Sequence, residues 1–174
     1  GRIVACDSRG VLHPDRGDIS EARTSYVDKW RICAETNAEN RRGGPAEALA
    51  GADVCLAFSR PGPDTLRPAW IAGMAREPIV FACANPTPEI DPAGARAAGA
   101  AIVATGRSDH PNQVNNALAF PGVFRGVLDV QARGISDRMA LAAAEALADL
   151  GEAHGLNRER ILPSLDDREV PVAL

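Results

Sequence analysis

The 174-residue sequence predicts an α/β domain: a parallel sheet with helices on its faces. Three observations predict it. Four short apolar runs, residues 3–6, 54–58, 79–84 and 101–104, are nearly continuous rather than alternating. That is the pattern of strands buried on both faces. Helix-patterned stretches separate the last three, as right-handed crossovers between parallel strands require. Each run then ends in small polar residues with Gly or Pro.

The elements follow in order. Residues 3–6 form the first expected strand, and the mixed charges of 13–47 are mostly a solvated face. Helical pieces are expected around Glu47-Ala48-Leu49 and across residues 70–75, on either side of the strand at 54–58. Residues 115–130 read as a helix interrupted at Pro121-Gly122. Residues 136–150 read as a better one. Ser136 can cap it, and Asp137 suits its positive end. Met139, Ala143, Ala146, Leu147 and Leu150 recur at helical spacing. The tail from Ile161 is expected to be irregular and packed on the body.

Composition narrows the function. A formal net charge of −4 points away from nucleic acid or an anionic membrane as main partner. No apolar run is long enough to span a bilayer. Cys6, Cys33, Cys55 and Cys83 make no C-x-x-C pair, and three of them sit in apolar strand-like runs. They read as small buried hydrophobes in a cytoplasmic protein. His13, His110 and His154 have no Cys or His at zinc-ligand spacing.

The strand ends carry the chemistry. They read Asp7-Ser8-Arg9-Gly10, then Ser59-Arg60-Pro61-Gly62, then Asn85-Pro86-Thr87-Pro88-Glu89, then Thr105-Gly106-Arg107-Ser108-Asp109. Turn residues alone explain any one of these. Four together point to a ligand, because open α/β sheets bind ligands at their carboxyl ends. Asp7 suits the acidic residue that holds ribose hydroxyls in a dinucleotide fold. Its glycine fingerprint should lie about 20 residues upstream. Only six residues precede it, and the chain has no G-x-G-x-x-G. Glu89 reads as helix-start chemistry after Pro88, and Asp109 as a cap before Pro111.

Those residues, with GRSDHPNQVNNALAFPG at 106–122 and ANPTPEI at 84–90, resemble malic enzymes. The likeness is to the carboxyl-terminal NAD(P)-binding domain of the bacterial and archaeal type. It also runs through IVACDSRG, AETNAENRRGGPAEALAGADVCLAFSRPG and ILPSLDDR, nearly the whole chain. The resemblance implies a Rossmann-like sheet, truncated at the amino end. It implies NAD or NADP as cofactor and oxidation of malate with decarboxylation to pyruvate. It implies Mg²⁺ or Mn²⁺, with ligands on a catalytic domain absent from this sequence, as is the tyrosine–lysine acid–base pair. Tyr26 and Lys29, the only Tyr and the only Lys, match no catalytic motif.

By the same resemblance, Asn85, Asn115 and Asn116 meet the dicarboxylate. Asn85 and Asn115 also meet the nicotinamide end of the cofactor. Asp7, Ser8 and Arg9 approach the adenosine ribose, and Ser59 to Gly62 line the cofactor cleft. An asparagine amide donates to a carboxylate without a full opposing charge. It can orient the substrate without strongly stabilising the carboxylate that leaves as CO₂. Val114, Leu118 and Phe120 are expected to anchor this segment in the core, with Asn112 and Gln113 serving only a turn. The competing reading makes Asn115 and Asn116 helix caps. His110 lies near the expected cleft. Asp7 favours NAD, whereas Arg9 can hold the 2′-phosphate of NADP.

The family's first strand and glycine-rich loop are missing. That strand belongs mid-sheet, so its absence predicts two unpaired edges open to another copy or a partner chain. The chain is therefore expected to be part of a longer homo-oligomeric protein, inactive alone. The alternative is an isolated nucleotide- or metabolite-binding module without chemistry. An amino acid or folate dehydrogenase fits the asparagine motifs poorly.

Overall fold

The computed structural model describes residues 2–174. Three parallel strands form its sheet: β3 (Val54–Ala57), β4 (Ile79–Ala82) and β5 (Ile102–Thr105). They lie side by side in chain order, with Val54 beside Ile79 and Ile79 beside Ile102. Short helices α3 (Pro45–Leu49), α4 (Pro68–Ala72) and α5 (Pro92–Ala97) supply the crossovers. The α/β expectation holds, and all three have proline in the first turn, where its missing N–H is not needed.

One core serves this unit. Leu49, Cys55, Leu66, Ile71, Val80, Ile90, Ala95 and Val103 bury against one another between sheet and helices. The core is built from aliphatic side chains and alanine, as the low aromatic content requires. Burying each large aliphatic side chain is worth about 1.5–3 kcal/mol.

The first expected strand is corrected. Only β1 (Cys6–Asp7) pairs, antiparallel to β2 (Gly10–Val11), and this hairpin is separate from the parallel sheet. The backbone of residues 3–5 is used elsewhere. Asn37 donates to the Ile3 carbonyl at 2.8 Å, and Leu12 to Ala5 at 2.8 Å. The hairpin needs Gly10, whose φ is +113° and where a Cβ would strike the Gly43 carbonyl. Helices α1 (Gly17–Ser20) and α2 (Val27–Glu35) close a second small core of Leu12, Ile19 and Cys33.

Between these two units runs a cleft of about 2300 Å³. Residues 2–6 form one wall and β3 the other. This corrects the expectation of strands buried on both faces. Cys55 and Ala57 are buried, while Val54, Leu56 and Phe58 are exposed, Phe58 at 76%. The outer edge of β3 has no strand beside it among the described residues. Cys6 is exposed, against the expectation for a cysteine in an apolar run, because its strand is a surface hairpin.

The carboxyl-terminal third is helical. A 3₁₀ turn (Asn116–Leu118) leads into α6 (Phe120–Asp129). Pro121 stands in the first turn of α6, so it starts the helix instead of interrupting it. Ser136 caps α7 (Asp137–Ala153) as expected, its Oγ accepting from the Met139 N–H at 3.3 Å. The tail is mostly irregular and ends in α8 (Val170–Ala173), which rests on α6 and α7. Gly122 admits it: a Cβ there would collide with Leu174.

Candidate functional site

Three of the four predicted turns leave the carboxyl ends of β3, β4 and β5 and meet at one rim. A side chain missed in the sequence organises them. Glu89 is fully buried. Its Oε1 accepts from the Ser59 N–H at 2.7 Å and the Ser59 hydroxyl at 3.1 Å. Its Oε2 accepts from the Ala84 N–H at 3.0 Å. The reading of Glu89 as helix-start chemistry is therefore corrected. Asp91 caps α5, accepting from the Gly94 N–H at 2.9 Å. Glu89 instead clamps the loop after β3 to the end of β4. Two backbone bonds reinforce the clamp, Gly62 N–H to Thr87 O at 3.4 Å and Leu66 N–H to Glu89 O at 2.8 Å. Beneath it, burial and then the negative charge of Glu89 push the Cys55 thiol up to about 11.

Asn85 follows directly, exposed at the end of β4, with a cis peptide bond to Pro86. Its side chain lies over Gly106, just past β5, where a Cβ would stand 3.1 Å from Asn85 Oδ1. The loop from Gly106 returns to β5. Val114 donates to the Thr105 carbonyl at 2.8 Å, which holds Asn115 beside the same strand end.

Asn115 fits the competing reading, as a cap. Its Oδ1 accepts from the Ala117 N–H at 2.9 Å and caps the 3₁₀ turn. That fixes the amide's orientation. Its Nδ2 donates to no acceptor among the described residues and stays available to a ligand. Asn116 is exposed on the turn itself. Leu118 anchors the segment in the core, whereas Phe120 does not. Phe120 is exposed and packs against Phe124 in a tilted arrangement, with ring centroids 5.5 Å apart and ring planes at 42°.

Asn112 is more than a turn residue. It is buried with φ +58°. Its Nδ2 donates to Val103 O at 3.3 Å and Arg158 O at 2.8 Å, and its Oδ1 accepts from the Ile161 N–H at 3.0 Å. It pins the tail to β5 beneath the asparagine loop. Asp109 is not a cap. It pairs with Arg107, whose Nε is 2.7 Å away, and that pairing holds its carboxyl down at about 2. His110 lines a separate hollow of about 470 Å³ with Gln113 and the tail, outside the large cleft.

Asp7, Ser8 and Arg9 stand on the opposite wall of the cleft from Ser59 and Arg60. Gly62, Asn85, Asn115 and Asn116 do not line that cleft. The predicted residues thus fall into two groups, one across the cleft and one at the sheet rim. Asp7 is enclosed by cations. Arg16 grips both of its oxygens, at 2.7 and 3.1 Å, Lys29 adds a bond at 3.0 Å and the Arg9 N–H one at 2.9 Å. Burial works to raise its pKa. The Arg16, Arg9 and Lys29 hydrogen bonds outweigh burial and hold the carboxyl well below the usual range.

A parallel sheet with helical crossovers and polar turns gathered at its carboxyl ends defines a Rossmann-like α/β domain, whose ligands bind at those ends. The family profile described as "Malic enzyme, NAD binding domain" matches residues 1–173, and the chain belongs to that family. It is 44% identical over 97% of its length to the NAD-dependent malic enzyme of Geobacillus stearothermophilus, of which it covers 35%. It is 46% identical over 86% of its length to an NADP-dependent malic enzyme of Rhizobium meliloti, of which it covers 18%. The crystal structure of Entamoeba histolytica malic enzyme superposes with a TM-score of 0.92 at 48% identity. That alignment covers 98% of this chain and 35% of the other. The chain thus spans a minor part of each relative's length.

Proposed function

We propose that this chain is the NAD(P)-binding portion of an oxaloacetate-decarboxylating malate dehydrogenase. The protein would oxidise malate, release CO₂ and yield pyruvate. One observation carries the reading. Asn85 and Asn115 come to the carboxyl ends of neighbouring strands, the second with its amide N–H free. Rigid amide donors there suit the dicarboxylate and the nicotinamide carboxamide. A bound dinucleotide would supply hydride acceptance, and the chain's part would be to hold it in place. Glu89 and Asn112 hold the loops that do so.

The catalytic acid–base pair and the ligands of Mg²⁺ or Mn²⁺ are assigned to the remainder of a longer protein. Among the described residues no three His, Cys, Asp or Glu side chains gather as a metal set. Residues 1–174 then form a partial nucleotide domain preceded by a catalytic domain, in a cytoplasmic homo-oligomer. No nucleic acid or membrane partner is proposed, and no helix among the described residues is long and apolar enough to cross a membrane.

Asn115→Ala in the intact protein tests the site. The account expects a raised KM for malate or a lowered kcat, by about tenfold, as loss of one hydrogen bond to a charged group implies. Unchanged kinetics would remove Asn115 from the site.

A further inference from the structure

The tail after α7 reaches the asparagine loop through one side chain. β5 is the last strand of the parallel sheet, and such a strand leaves backbone groups to be satisfied. Here the chain's own loop takes them. Thr105 holds that loop at both ends. Its Oγ1 accepts from the Arg107 N–H at 3.2 Å, and its N–H donates to the Asn112 carbonyl at 3.3 Å. Its carbonyl accepts from the Val114 N–H at 2.8 Å. Two residues back along β5, the Val103 carbonyl accepts from Asn112 Nδ2.

Asn112 directs its remaining bonds to the tail. A side-chain amide has two N–H donors and a carbonyl acceptor. The second N–H goes to the Arg158 carbonyl, and Oδ1 accepts from the Ile161 N–H. The tail partner is itself a closed turn. Asn157 and Arg160 exchange backbone bonds at 3.0 and 3.1 Å. The Arg160 guanidinium donates to the His154 and Gly155 carbonyls just past α7, at 2.7 and 3.1 Å. The turn is thus fastened to α7 on one side and to the asparagine loop on the other.

We propose that the tail turn 157–161 is a working part of the malate site, coupled to Asn115 through Asn112. The inference rests on the malate reading above. Asn112 and Val114 fix the backbone on β5, and Asn115 follows directly. The backbone of Asn112 is left-handed, with φ +58°. A non-glycine residue keeps that conformation only where its surroundings hold it. Here the tail does part of the holding. Without those bonds Asn112 relaxes, and Asn115 moves with it. A reacting partner misplaced by about 1 Å costs up to about 100-fold in rate. Coupling between sites is reciprocal, so a dicarboxylate held by Asn115 also tightens the bond between Asn112 and Ile161.

Kinetics and hydrogen exchange of the intact protein test it. Asn112→Gly permits the left-handed backbone and removes all three side-chain bonds. Ile161→Pro removes the tail donor, 49 residues away. The KM for malate should rise about tenfold in Asn112→Gly and about threefold in Ile161→Pro. The inhibition constant of 5′-AMP, which reaches only the adenosine end of the cofactor site, should stay within about twofold. Adding Ile161→Pro to Asn112→Gly should raise the KM no further, because the bond it cuts is already gone. A measurement on the wild type needs no variant to fold. Malate with reduced nucleotide and Mn²⁺, a mixture with no hydride acceptor, should slow exchange of the Ile161 amide about tenfold. An unchanged malate KM in both variants, additive effects, or an Ile161 amide indifferent to malate overturns the inference and leaves the malate reading intact. A wild type without malate-dependent turnover overturns both.

Discussion

Single side chains decide how the rim is held. Glu89 joins two strand ends 30 and 5 residues away in sequence through three donors. Nothing local signals that. After a proline and before a helix an acid reads as a cap, and only the fold reveals that the cap is Asp91. Glu89→Gln would set an NH₂ against a backbone N–H. The variant should lose about 1–3 kcal/mol of stability and loosen the Ser59 and Asn85 loops. Urea unfolding of the intact protein measures it, and an unshifted midpoint would refute the clamp. Asp7 gives a pH signature. Its folded pKa lies below its ordinary 3.8, so its stabilisation is present above that value. The stabilisation is lost as pH falls below 3.8 toward the folded value. Thermal melts should therefore show the wild type losing its advantage over Asp7→Asn only below about pH 4. A constant difference down to pH 2 would contradict this.

At the scale of elements, what was legible in the sequence was local and repetitive. The runs at 54–58, 79–84 and 101–104 became β3, β4 and β5 because apolar continuity marks a parallel sheet. The helix α7 was legible down to its cap. Ser136→Ala should cost about 1 kcal/mol, readable by thermal unfolding, and a change under about 0.3 kcal/mol would deny the cap any role. Residues 3–6 defeated the same reasoning. Pattern shows that a segment can be a strand, but a strand also needs a neighbour, and these residues bond to Leu12 and Asn37 instead. Pro121 misled in the opposite direction. Proline breaks a helix interior and starts a first turn, and pattern does not say which position it holds.

The whole molecule is two small cores facing each other across a cleft, and that division organises the account. The asparagines were found through motif resemblance, and their neighbours became visible only when distant strands met. Val54, Leu56 and Phe58 form an exposed apolar wall, and among the described residues no strand pairs with the outer edge of β3. A cleft of about 2300 Å³ exceeds the roughly 300–1,000 Å³ of an ordinary small-molecule site. The relatives are malic enzymes of which this chain covers 18–35% in the two curated comparisons above. The central claim is that the intact protein joins this domain to chemistry on malate. The measurement is pyruvate and reduced nucleotide formed together from malate, NAD or NADP, and Mn²⁺. The account predicts both products in equal amounts, only with malate and nucleotide present. An intact protein that binds nucleotide yet forms no pyruvate would contradict it.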